Sequence, residues 1–198
     1  MAEQGSGDEH EVDEENTLYK PPAKKELNEI INADADDPSL IEYKKKLLGS
    51  GLDGPVIVEP NNPNFVIVKK LGLLVEGRDE MILDLTGDKD TIKKTSFVLK
   101  EGCTYKVRIY FYVQREIVSG LRYKQKAYRA GIKVDQKNVM VGSYGPKPDL
   151  QSYTTPEDEA PSGMLARGEY KIDSLFTDDD KNEYLSWEWK LNIKKDWQ

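Results

Sequence analysis

The chain has 198 residues, with 29 Lys and Arg against 36 Asp and Glu, for a formal net charge of −7. Seven of the acidic residues (Glu3, Asp8, Glu9, Glu11, Asp13, Glu14 and Glu15) precede Asn16, and no Lys or Arg does. Taking seven from 36 leaves 29 acidic against 29 basic side chains in residues 17–198, and so neutral a body argues against a nucleic-acid-binding domain. No apolar run approaches the roughly 18 residues of a membrane span. The acidic N-terminus lacks the basic-then-apolar pattern of a secretory signal, and the C-terminal KKDWQ carries no prenylation box. The lone Cys103 cannot form an internal disulfide. A cytoplasmic protein is expected.

In chain order, residues 1–18 read as an acidic tail. Between Met1 and Asn16 its only large apolar residue is Val12, too little to offset the entropy of ordering, so disorder is expected. Tyr19 to Pro22 (YKPP) is extended, because proline drives its predecessor out of the α region. Two short helices are predicted next. Lys24 to Asn32 places Leu27, Ile30 and Ile31 at helical spacing. In the second, Asp37 is the N-cap, Pro38 suits the first helical position and Gly49 closes the end. Leu40, Ile41, Lys44, Leu47 and Leu48 form its stripe. Helices this short are marginal in water, so they either pack on their own domain or order against a partner.

Gly49 to Pro63 reads as a linker. Beyond it the period changes to two. Tyr105, Val107, Ile109, Phe111 and Val113 alternate with polar or aromatic neighbours, as do Leu185, Trp187, Trp189, Leu191 and Ile193. Strands are also predicted at Phe65 to Val68, Leu71 to Val75, Met81 to Leu85, Ser96 to Leu99, Ala130 to Val134 and Val139 to Ser143. Turn residues separate them, indicating an antiparallel sandwich or barrel.

Catalytic chemistry has little to stand on. The single His10 lies in the acidic tail, where disorder leaves no catalytic triad held in place, and no phosphate loop is present. Asp84-Leu-Thr-Gly reads as a tight turn after a strand. Asp178, Asp180 and Asn182 have the alternate spacing of a calcium loop, but Glu183 and Trp189 occupy the positions that need glycine and a bidentate glutamate. No metal or cofactor is expected. The acidic triplet is a solvated turn or a contact for a partner's Arg or Lys. Arg115 to Arg129 interleaves basic and aromatic residues, suiting the outer face of a strand better than a base-stacking platform. The Trp187/Trp189/Leu191/Ile193 face is core or the wall of a cavity, and periodicity does not separate the two.

Taken together, YKPP (19–22), DLTGD (84–88), SFVLKEG (96–102), REIVSG (115–120), MVGSYGP (140–146), APSGMLARG (160–168), FTDDDK (176–181), LSWEW (185–189) and IKKDW (193–197) resemble the Rho GDP-dissociation inhibitor family, from Tyr19 onward. The resemblance implies a largely flexible regulatory arm with two short helices and a linker, which with the unaligned acidic tail make up residues 1–56, and an immunoglobulin-like, antiparallel β-sandwich over 57–198. It implies binding to prenylated Rho- or Rac-type small GTPases, preferentially GDP-bound. The arm would inhibit GDP release, and the sandwich would sequester a geranylgeranyl or farnesyl group, extracting the GTPase from membranes without itself inserting stably. An arm-independent carrier of prenylated proteins is the alternative; YKPP and the capped helix after Asp37 favour the inhibitor.

By the same resemblance, Asp37 and Ser39 reach switch I, while Leu40, Tyr43 and Leu47 pack the helix pair. Asp179 and Asp180 face switch II. Phe97, Tyr105, Ile117 and Trp189 line the prenyl pocket, and Asp158 and Glu159 face the GTPase's basic tail. Lys69 to Val75 aligns in two registers one residue apart, leaving Leu71 and Leu73 as candidate pocket residues, since a one-residue slip swaps the faces of a strand.

Overall fold

The computed structural model describes residues 37–40, 42 and 56–197. The acidic tail, the predicted helix at Lys24 to Asn32, Tyr43 and Leu47 lie outside the described residues. Within them, Pro38 to Leu40 and Glu42 are helical. The Asp37 carboxylate accepts from the Ser39 N–H at 2.8 Å and the Leu40 N–H at 3.3 Å, as an N-cap should.

Ten strands follow: β1 (Val66–Val75), β2 (Met81–Asp84), β3 (Ser96–Lys100), β4 (Thr104–Val113), β5 (Val118–Arg129), β6 (Ile132–Tyr144), β7 (Gln151–Thr154), β8 (Asp158–Glu159), β9 (Gly168–Thr177) and β10 (Glu183–Lys194). They form two facing sheets. Sheet I runs β2-β1-β4-β7 with β8 also on β4, and sheet II runs β3-β10-β9-β5-β6. Every pair is antiparallel except β3 with β10. This is the expected immunoglobulin-like sandwich, with one parallel pair the alternation did not announce. Ile109 and Phe111 from sheet I meet Leu121, Ile172, Phe176 and Trp189 from sheet II in one buried core.

The two registers of the first strand have a structural cause. The β1–β4 pairing runs to Val68 opposite Phe111 and resumes at Lys70 opposite Tyr110, so Lys69 is the extra residue of a β-bulge. Val66 and Val68 face the core before it, and Leu71, Leu73 and Val75 after it. From Lys70 to Val75 the pairing keeps one register, with Leu71, Leu73 and Val75 inward.

Four further points differ from expectation. Residues 56–64 are tied down rather than free. The fully buried Gln114 accepts from the N–H groups of Val58 and Glu59 at 3.1 and 3.0 Å and donates to the carbonyls of Asn62 and Asn64, both at 2.8 Å. A single β6 replaces the two strands predicted between Ala130 and Ser143, and Ala130, with φ 49°, turns the β5–β6 hairpin with Gly131. β9 was not expected, because Ser174 interrupts its apolar face. A six-residue helix α1 (Lys89–Lys94) was not expected either, and Asp88 caps it by accepting from the Thr91 N–H at 3.2 Å. The DLTGD block is therefore a turn and a cap, with Asp84 accepting from the Thr86 N–H and hydroxyl at 2.8 and 2.7 Å.

Candidate functional site

Between the sheets, where β4 starts and β5 and β6 approach their hairpin, lies a recess of about 380 Å³. That is within the roughly 300–1,000 Å³ of small-molecule pockets. Its apolar wall comes from Ala127, Val134, Tyr170, Ile172, Leu191 and Ile193. Its polar rim is Gln125, Asp135, Lys137, Asp158 and Glu159, with Tyr105 between wall and rim. Strand alternation explains the composition: β10 turns Trp187, Trp189, Leu191 and Ile193 inward, and the last two reach the recess. A second recess of about 330 Å³ adjoins it and shares Tyr105, Gln125, Lys137 and Asp158.

The rim is hydrogen-bonded across the sandwich. The Tyr105 hydroxyl donates to Asp158 Oδ2 at 2.6 Å, and the Lys137 ammonium donates to the same oxygen. Lys137 also lies 3.6 Å from Asp135 Oδ2. Burial pushes the Tyr105 phenol well above its ordinary pKa, and burial pulls Lys137 below its own, with Asp135 opposing.

Trp189 sits one inward position behind Leu191 and is fully buried. Phe97 packs edge to face on it, the centroids 5.6 Å apart. Its indole N–H donates to Ser174 Oγ at 3.0 Å; Ser174 in turn lies 2.9 Å from the Tyr123 hydroxyl, which donates to Gln125 Oε1 at 3.0 Å. This chain carries a polar thread from the deep core to the recess rim. Leu71 and Leu73 are fully buried in the same core. Ile117 follows the far end of β4 and is half-buried, so it does not meet Tyr105, which opens that strand.

The acidic triplet divides by role. Asp178 is buried and accepts from the Asn182 N–H at 2.9 Å, the Asn182 amide at 2.8 Å and the Tyr184 hydroxyl at 2.6 Å. It holds the turn. Asp179 is exposed and accepts from Arg122 Nε at 2.8 Å; Asp180 is exposed beside it. A Cβ at Gly120, with φ 65°, would lie 1.9 Å from Asp179 Oδ2, so glycine is what lets β5 pass under this carboxylate. Asp37, Ser39 and Leu40 are exposed on their helical turn. Among the described residues no helix is long and apolar enough to cross a membrane.

The decisive comparison is with known families. The family model described as "RHO protein GDP dissociation inhibitor" matches residues 4–196. This chain belongs to that family. It is 52% identical over 190 residues to Rho GDP-dissociation inhibitor 1 of Homo sapiens, covering 96% of this chain and 92% of that one. It is 44% identical over 190 residues to Rho GDP-dissociation inhibitor 3 of Bos taurus, covering 96% of this chain and 83% of that one. Members of the Rho GDP-dissociation inhibitor family are regulators rather than enzymes. Lys137 and Gln125 on the recess rim, and Ser174 in the core behind it, escaped the sequence reading. The first two carry no local signal of a partner on another strand, and a serine on an inward strand position reads as a break.

Proposed function

We propose that this chain is a Rho GDP-dissociation inhibitor that takes the prenyl group of a Rho- or Rac-type GTPase between its sheets while residues 1–56 act on the nucleotide-binding side. The observation that carries this reading is the apolar recess rimmed by Asp158 and Glu159, in a chain of this family. A geranylgeranyl or farnesyl chain enters past Tyr105, lies against Ala127, Val134, Leu191 and Ile193, and reaches Trp189, Phe97 and Leu73 when the core behind them yields, with Ile117 at the far end of the same intersheet layer. Residues 57–198 form the prenyl-binding unit.

Energetics decide what else is needed. Each buried CH₂ is worth about 0.8 kcal/mol in bilayer and pocket alike, so the prenyl group alone gives no net drive for extraction. A polybasic tail held by anionic lipid gains about 1 kcal/mol per Lys or Arg, and Asp158 and Glu159 replace part of that. The rest comes from preferential binding to the GDP-bound switch conformation. Asp37 and Ser39 contact switch I, Leu40, Tyr43 and Leu47 pack the arm, and Asp179 and Asp180 face switch II. Held switch loops release nucleotide slowly, with no chemical step.

The test plugs the recess. Ala127→Trp fills it from a strand position already facing inward, and thermal unfolding checks that the sandwich survives. On liposomes carrying a geranylgeranylated, GDP-loaded Rho-type GTPase, wild type moves the GTPase to the supernatant and Ala127→Trp releases less than a tenth as much. Equal release by a folded Ala127→Trp protein overturns the recess as the prenyl site.

A further inference from the structure

The Tyr105–Asp158–Lys137 cluster joins strands of opposite sheets. Tyr105 opens β4, and Asp158 lies in β8, which pairs with β4 in sheet I; Lys137 lies in β6, the edge strand of sheet II. The Lys137–Asp158 ion pair is therefore a cross-sheet tie at the open margin of the sandwich. All three residues line both recesses, so the tie stands at the margin shared by two spaces of about 380 and 330 Å³. A chain occupying both has to pass it.

The tie also has a built-in alternative. Lys137 already has a second acceptor in Asp135, whose side chain is 50% exposed, on the solvent side of the hairpin. Leaving Asp158 would not strand the ammonium, and its depressed pKa reports the desolvation it escapes by moving outward. Asp158, by contrast, is two-thirds buried and would keep only the Tyr105 hydroxyl if Lys137 left without a replacement. A partly buried carboxylate that loses its cation loses stabilisation that water only partly restores. A cation from outside removes that penalty, and an apolar chain without one does not.

We propose that Lys137 is a specificity-determining residue that makes entry of a prenyl chain depend on an adjoining basic segment, whose Lys or Arg takes over Asp158 while Lys137 swings to Asp135. The proposal rests on the reading of the recess as the prenyl site. Neutral prenylated segments are kept out because nothing replaces Lys137 at Asp158. Basic segments open the tie and let the prenyl chain enter past Tyr105.

The experiment is stopped-flow association of full-length protein with two dansyl-labelled geranylgeranylated peptides, one with four lysines before the prenylated cysteine and one with four glutamines. Wild type takes up the lysine peptide at least tenfold faster. In Lys137→Met and Lys137→Gln the glutamine peptide accelerates about tenfold, because no ammonium has to be displaced. Lys137→Arg, which keeps the cation, stays like wild type. Two ammonium-removing variants guard against one failing to fold, and thermal midpoints select the folded ones. An unchanged glutamine-peptide rate in a folded Lys137→Met or Lys137→Gln protein overturns the role of Lys137. Failure of both peptides to bind wild type at all would instead overturn the recess reading beneath it.

Discussion

Ser174 shows how one side chain sets the core behind the recess. Its hydroxyl accepts from the Trp189 indole at 3.0 Å and lies 2.9 Å from the Tyr123 hydroxyl, which already donates to Gln125. The directional chain Trp189 to Ser174 to Tyr123 to Gln125 uses each donor once, which fixes the Trp189 ring in the core behind the recess. Ser174→Ala leaves a buried indole N–H without an acceptor, and such an orphan costs about 1–3 kcal/mol. Urea unfolding should show a lower midpoint at unchanged slope; an unshifted midpoint would mean that water or Gln125 takes over. None of this was legible in the sequence. A serine at an inward position breaks an apolar alternation, so it hid β9 instead of marking a hub. Lys137 was hidden for a different reason: its partner Asp158 is 21 residues away on the other sheet. Tyr105, Trp189 and Asp158 could be named because they fall within or next to recurring blocks, and a block match carries position but not partner.

At the level of elements, the phase change at Lys69 explains why β1 resisted a single register while β4 and β10 did not. Alternation is readable where pairing is regular, and a bulge inverts it. The segment before β1 makes the same point from the other side. Its Gly, Pro and Asn content reads as linker, yet Gln114 satisfies four backbone groups of residues 58–64 from a buried position. Gln114→Leu should release the Val58 and Glu59 amides, raising their hydrogen exchange at least tenfold, about 1.4 kcal/mol of lost protection; unchanged exchange would show that other contacts hold this segment. The stretch between β8 and β9 beside the recess is tied by Glu101, which accepts from Arg167 at 2.9 and 2.7 Å and from the Gly163 N–H at 2.9 Å. Arg167 above all, and the Gly163 amide, hold the Glu101 carboxyl below its ordinary pKa. A carboxylate with a depressed folded pKa adds stability that is fully present above its unfolded value, about 4.3 for Glu. That contribution is lost as pH falls through the lower folded value. Exchange at Gly163 and Ala166 should therefore rise as pH falls below about 4, after correction for the intrinsic rate. Glu101→Gln should show the same looseness at pH 7, and identical behaviour of the two proteins would remove the tether.

For the whole molecule, the charge arithmetic takes on a different meaning once the sandwich is in place. Residues 17–198 balance 29 acids against 29 bases, but the balance conceals local organisation. Lys126 to Lys137 holds four basic residues and one acidic, whereas Asp158, Glu159, Asp179 and Asp180 are acidic points on a rim and a turn. Two functions distributed over such a surface should fail separately. Asp37→Ala removes an N-cap worth about 1 kcal/mol of local helix stability together with the carboxylate proposed to contact switch I. It should weaken inhibition of fluorescent-GDP release severalfold and leave uptake of a geranylgeranylated peptide unchanged; parallel loss of both would contradict the division between residues 1–56 and the sandwich. The intersheet recess as the seat of the prenyl group is most directly tested by photo-crosslinking. A GDP-loaded Rho-type GTPase carrying a benzophenone-bearing prenyl analogue is irradiated with the full-length protein, and the labelled residues are mapped by mass spectrometry. Labels on Tyr105, Ala127, Val134, Leu191 or Ile193 are the expected result, and labels confined to the outer faces of the sheets would contradict it.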